Sequence, residues 1–196
     1  LDHPTGQYKD LDSGSYHICA VDFDGVVTCW GLNTDFQNNV PEGKLFETVS
    51  AGEGSTCGIL EDGTLQCWGS PSYGMTLPPT GTFEMLDISA GHGCAIRTNG
   101  WIACWGWDGY GEVSNAPFGA HSDIASGAYH SCAVDLFNNI NCWGLGSSGQ
   151  VAVPEGAYDQ VDAGSHHTCG RTLDDQLVCW GSNQYGQSMN PPAENP

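Results

Sequence analysis

The string Cys-x9-Cys-Trp-Gly occurs five times in this chain, and its leading cysteines, Cys19, Cys57, Cys94, Cys132 and Cys169, stand 38, 37, 38 and 37 residues apart. A unit of that length is too short to bury a core of its own. Its apolar face must be covered by the next unit, so the architecture follows from stacking. One frame fits the copies: Pro-x-Gly, a short apolar stretch, Gly-x-x-His-x-Cys-Ala, a hairpin, Cys-Trp-Gly, and a four-residue gap before Gly-Gln. Copies begin at Pro4, Pro41, Pro79, Pro117 and Pro154, giving repeats 4–40, 41–78, 79–116, 117–153 and 154–190 within one domain, 1–196. Pro191 opens the next period, and a short tail runs to Pro196.

The cysteine spacing predicts a hairpin with a defined register. In Cys19-Ala-Val-Asp-Phe-Asp-Gly-Val-Val-Thr-Cys29, a three-residue turn at Phe23, Asp24 and Gly25 pairs Asp22 with Val26 and sets Cys19 directly opposite Cys29. If Asp22 and Val26 are a hydrogen-bonded pair, alternation makes the cysteines a non-hydrogen-bonded pair, with α-carbons about 4.5 Å apart and within disulfide reach. The third turn residue needs a left-handed backbone, and the copies place Gly25, Gly63, Gly100, Asn138 and Asp175 there. Structural zinc wants Cys-x2-4-Cys knuckles with four converging ligands, whereas these pairs repeat singly. The expected links are Cys19–Cys29, Cys57–Cys67, Cys94–Cys104, Cys132–Cys142 and Cys169–Cys179. Persistent disulfides imply an oxidising compartment, so an extracellular or cell-surface location is expected.

Composition narrows the partners. Lys9, Lys44, Arg97 and Arg171 oppose 23 acids, a formal charge of −19 that repels phosphate backbones and anionic membrane surfaces. No nucleic acid and no membrane insertion are expected, since no apolar run reaches the length of a membrane span. Leu1 opens no secretory leader, and an exported chain would already have lost it.

Gly14-Ser-Tyr-His17-Ile-Cys-Ala20, Gly127-Ala-Tyr-His130-Ser-Cys-Ala133, Trp143-Gly-Leu-Gly-Ser-Ser-Gly149-Gln150 and Trp180-Gly-Ser-Asn-Gln-Tyr-Gly186-Gln187 resemble the repeat of the regulator of chromosome condensation superfamily. The resemblance spans all five copies and implies an all-β fold, a five-repeat β-propeller, with an open arc or solenoid of the same repeats as the alternative. Superfamily members are usually seven-bladed, and the short cysteine-paired unit is similar to that of bacterial extracellular members. The departures are the count of five, Ser55 in place of histidine, a third copy reading as two residues short between Gly91 and His92, and Phe36-Gln37 where the other copies carry a glycine. Nucleotide exchange on a nuclear GTPase, the best known activity of the superfamily, is not carried over to so acidic a chain. Closure into a ring is expected, because the sequence offers no polar capping repeat.

His17, His92, His130 and His167 recur two residues before the first cysteine, a ring that suggests either metal or satisfied packing between blades; packing is the preferred reading. Asp24-Gly25 and Asp62-Gly63 are explained by turn chemistry without calcium. Trp30, Trp68, Trp105, Trp143 and Trp180, one per unit, are assigned to the core. The aromatics expected to form a binding rim are Phe36, Tyr73, Trp101, Trp107, Tyr110 and Tyr185, because interfaces favour Tyr and Trp. No catalytic residues, metal or cofactor are expected. The first functional reading is a secreted or cell-surface, non-catalytic module that binds a protein or a surface glycan through this rim. A self-assembling subunit of an extracellular fibre, a secreted enzyme inhibitor and a glycan-active enzyme are the alternatives.

Overall fold

The computed structural model describes residues 4–189; the expected tail from Pro191 and the end of the fifth repeat at position 190 lie outside them. Five three-stranded antiparallel meanders follow one another. They are β1 (Tyr8–Ser13), β2 (His17–Asp22) and β3 (Val27–Gly31); β4 (Phe46–Ala51), β5 (Ser55–Leu60) and β6 (Leu65–Gly69); and β7 (Phe83–Ile88), β8 (His92–Arg97) and β9 (Ile102–Gly106). β10 (His121–Ser126), β11 (His130–Asp135), β12 (Ile140–Gly144), β13 (Tyr158–Ala163), β14 (His167–Thr172) and β15 (Leu177–Gly181) complete the set.

The turn chemistry fixes each hairpin. Cys19 lies opposite Cys29 and Val21 opposite Val27, while the Asp22 N–H donates to Val26 at 3.0 Å. Gly25, Gly63, Gly100, Asn138 and Asp175 all have positive φ. The five disulfides join first to second cysteine within each unit, with α-carbons 4.0 to 4.1 Å apart. The first strand of every unit carries a register shift after its opening residue, which bends the strand.

The core lies between sheets rather than within them. Val21 and Val27 of the first unit pack on Phe46, Val49, Leu60 and Trp68 of the second, and equivalent clusters fill the later junctions. Each of the first four hairpin turns also accepts a hydrogen bond from the next unit's first strand: Phe46 on Gly25, Phe83 on Gly63, His121 on Gly100 and Tyr158 on Asn138. Side chains on the first strands add a second set. Asp12 accepts from the Ala51 N–H, Ser50 from Ile88, Asp87 from Ser126 and Asp123 from Val161.

Two expectations are corrected. The sheets form an open arc, because the fifth unit does not cover the first. Leu11 is 64% exposed, whereas its counterparts Val49, Ile124 and Val161 are 3%, 6% and 5% exposed and Leu86 is half-buried. Trp30 is only half-buried, and among the described residues its indole N–H has no partner; Leu177 is exposed at the other end. Matching phase at the two ends of a sequence does not set the angle between blades, and that angle decides how many units close a ring. The third copy, moreover, is not short. The Ser89 N–H bonds the His92 carbonyl as Gly14 bonds His17 and Gly127 bonds His130, so Ser89 fills the glycine position and Gly91 sits before the histidine.

Candidate functional site

All five units point the same loops to one side, here called the upper face. It comprises the turns between first and second strands and the loops that follow each Trp-Gly. The hairpin tips form the lower face. Around the axis the upper turns line a shaft of about 430 Å3, walled by Asp12, Asp87 and Asp162 with Glu53 beside them. Asp87 bonds Ser50 and Ser126, and burial, reinforced by Asp12 and Asp162, pushes its carboxyl up to about 8.

The residue after the shaft lining carries an aromatic ring in three units, namely Tyr16, Tyr129 and His166. Tyr129 joins a continuous aromatic cluster. Trp107 meets Tyr73, Tyr110 and Tyr129 at centroid distances of 6.1, 5.3 and 5.8 Å, and Tyr129 continues to His166 at 5.9 Å. Gly91 borders it, at a position where a Cβ would lie in ordinary van der Waals contact with Trp107 and Tyr73. Tyr73, Trp107 and Tyr110 of the expected rim are therefore brought together. Phe36 and Tyr185 occupy the outer loops of the end units, both exposed, with no ring contact among the described residues. Trp101 stands elsewhere: it precedes β9 while Trp107 follows it, so a strand of about 17 Å separates them, and Trp101 packs edge-on with exposed Phe118 on the lower side. The spacing missed Tyr129 and His166, although a tyrosine before the histidine in two copies was the available signal.

Three of the four recurrent histidines lock blade to blade, while His167, in the last unit, is half-buried. His17 Nε2 lies 2.8 Å from the Thr56 hydroxyl, which gives its proton to the Gln37 carbonyl, so the imidazole is the neutral Nε2–H donor. The same carbonyl accepts the Trp68 indole N–H at 2.8 Å. His130, Thr168, Gln150 and Trp180 repeat the arrangement, and His92 meets Ser131 at 2.7 Å. Burial lowers the basicity of His17, His92 and His130, the last two to about 4. Where Ser55 replaces histidine, the facing residue is Gly93, so both halves of the pair are missing together. Gln37, Gln150 and Gln187 close their own loops by accepting from Asp35, Ser148 and Tyr185 N–H groups. Among the described residues no group of three or more His, Cys, Asp or Glu is arranged to hold a metal, and no helix is long and apolar enough to cross a membrane.

Stacked β-meanders, each braced by its own disulfide, around an acidic shaft define a propeller-type repeat scaffold with an aromatic upper face. The model of the Regulator of chromosome condensation (RCC1) repeat matches residues 8–37, 46–74, 122–150 and 158–187, and the chain belongs to this family. The third unit, which holds Trp101, Trp107 and Tyr110, is not among the matched segments. No curated protein matches the chain. Among solved structures, the entire ectodomain of the receptor kinase CR4 from Physcomitrella patens is similar at TM-score 0.79 and 26% identity, over 93% of this chain and 54% of that one. The CRINKLY WD40 ectodomain of the Arabidopsis thaliana receptor kinase ACR4 matches at 0.73 and 23%, over 90% and 69%. Prp20p from Saccharomyces cerevisiae, whose structure was described with its binding to Gsp1p and histones, matches at 0.76 and 15%, over 90% and 58%. The chain thus spans between about half and two-thirds of these structures.

Proposed function

We propose that this chain is a non-catalytic, extracellular or cell-surface binding module that holds a partner protein on its upper face. The continuous cluster of exposed Tyr73, Tyr110 and Tyr129 with half-buried Trp107 and His166 carries this reading, because pre-packed aromatic rings are characteristic anchors of protein interfaces. The disulfides and the likeness to a plant receptor ectodomain support the location. Protein binding is also reported for Prp20p, a structural neighbour. A surface glycan stacking on the same rings is the alternative ligand, and a secreted inhibitor would use the same face on an enzyme.

The test is cross-linking and affinity measurement against extracellular material, with Trp107→Ala and Tyr129→Ala compared with Trp101→Ala on the far side. Loss of at least about 1 kcal/mol of binding with the first two, and none with the third, is expected. Equal loss with Trp101→Ala would move the interface to the lower face. A second reading, assembly through the ends of the arc, is favoured by the uncovered Leu11, Trp30 and Leu177. It would make the protein a subunit of a larger extracellular structure.

A further inference from the structure

The second unit departs from the repeat on the upper face. Gly54 stands where the first and fourth units carry Tyr16 and Tyr129, and Ser55 replaces the histidine. Beside Gly54 lies a pocket of about 290 Å3 lined by the exposed Tyr16 and Tyr73, by the acidic residues Asp35 and Glu53, and by the buried Met75. No lysine or arginine lines it. All four permanent cations sit toward the lower ends of strands: Lys9 pairs with Glu47, Arg171 with Asp159, Arg97 lies over the Phe83 ring, and Lys44 precedes β4.

Two aromatic rings and two carboxylates around one opening attract a cation by ring quadrupole and by charge, and the volume admits one long side chain. A face without cations cannot satisfy its own carboxylates in a two-fold symmetric pair, where the same patch meets itself. We propose that this pocket receives the lysine or arginine side chain of a protruding segment on a partner protein. The proposal rests on the reading of the upper face as protein-binding and names the chemistry of that partner.

The probes are Nα-acetyl-lysine methylamide and its neutral isostere Nα-acetyl-norleucine methylamide, titrated into the intact protein by NMR. The lysine probe should bind saturably and about tenfold more tightly than the norleucine probe, and weaken as salt rises. Gly54→Tyr restores the ring carried by two other units. A Cβ at Gly54 meets nothing closer than 3.5 Å, and a variant whose melting curve confirms that it folds should lose the lysine probe. Asp35→Asn with Glu53→Gln should erase the preference for lysine over norleucine. Equal affinity for the two probes, undiminished binding by Gly54→Tyr, or self-association abolished by Lys44→Ala would each overturn the proposal. If the lysine probe fails while Trp107→Ala still weakens partner capture, the cation pocket is wrong and the aromatic interface stands; if neither responds, both fail.

Discussion

Phe36 holds a left-handed backbone, φ 63°, at the loop position where the other units place Gly74, Gly111, Gly149 and Gly186 at 80° to 86°. A side chain there costs about 1 to 2 kcal/mol, against which glycine loses part through unfolded-state entropy. Phe36→Gly should therefore gain up to about 1 kcal/mol in denaturant melts, and Phe36→Ala, which keeps the strain, should gain nothing; equal gains would discount strain. Asp87 makes an opposite, pH-linked demand. Its carboxyl is raised to about 8 in the fold from an ordinary value of 3.8, so the folded state binds the extra proton between those limits. Its contribution to stability is present below pH 4 and lost as pH rises toward 8. Asp87→Asn keeps an acceptor for the Ser126 N–H and should gain stability relative to the parent as pH is raised from 5 to 9. A constant difference across that range would assign the raised affinity elsewhere.

At the scale of strands and blades, the histidine locks set the acid limit. His92 and His130 are held near 4, below the ordinary 6.5, by burial, with neighbouring imidazoles adding to it; burial lowers His17 too, against the opposing pull of Asp12. The unfolded chain then binds more protons as pH falls, so stability present above pH 6.5 is lost toward pH 4, on the order of 2 to 3 kcal/mol for each of the two strongly shifted rings. His130→Ala should flatten this acid limb as well as cost about 1 to 3 kcal/mol at neutral pH. An unchanged limb would deny the histidine its part. The missing lock at the second junction has a steric cause: a Cβ on Gly93 would sit 2.6 Å from Ile88 and 2.8 Å from Trp105. Gly93→Ser should therefore destabilise by about 1 to 3 kcal/mol although Ser131 occupies the same place in the fourth unit. The disulfides act more locally. Replacing Cys132 and Cys142 by alanine should cost at most about 3 kcal/mol without unfolding the chain, because the turn and the neighbouring blades still hold the hairpin.

At the scale of the five-unit arc, its two end faces are the least covered apolar surfaces. Leu11 and Trp30 at one end and Leu177 at the other present to solvent the surfaces that four internal junctions bury. Such faces drive association. Light scattering should show concentration-dependent oligomers, and Leu11→Lys with Leu177→Lys should leave a monomer of unchanged upper-face chemistry. A parent chain that stays monomeric at all concentrations would show that the exposed faces are tolerated.

What the sequence alone determined is local and repetitive. Ten-residue cysteine spacing, a left-handed third turn residue and strand alternation fix the hairpin register and bring Cys19 to Cys29 without any help from distant residues. The recurring His17, His92 and His130 were equally legible as packing elements, because a position shared by many units is one that stacking demands. The tertiary structure alone decided three things. The angle between blades left an arc where equal phase suggested a ring. Strand direction put Trp101 and Trp107 on opposite faces, while packing across blades joined Trp107 to Tyr129, 22 residues away along the chain. The backbone bond from Ser89 to His92 showed that the third loop keeps its length, which the position of Gly91 conceals. In each case the deciding quantity is an orientation between units, and a short-range pattern carries none.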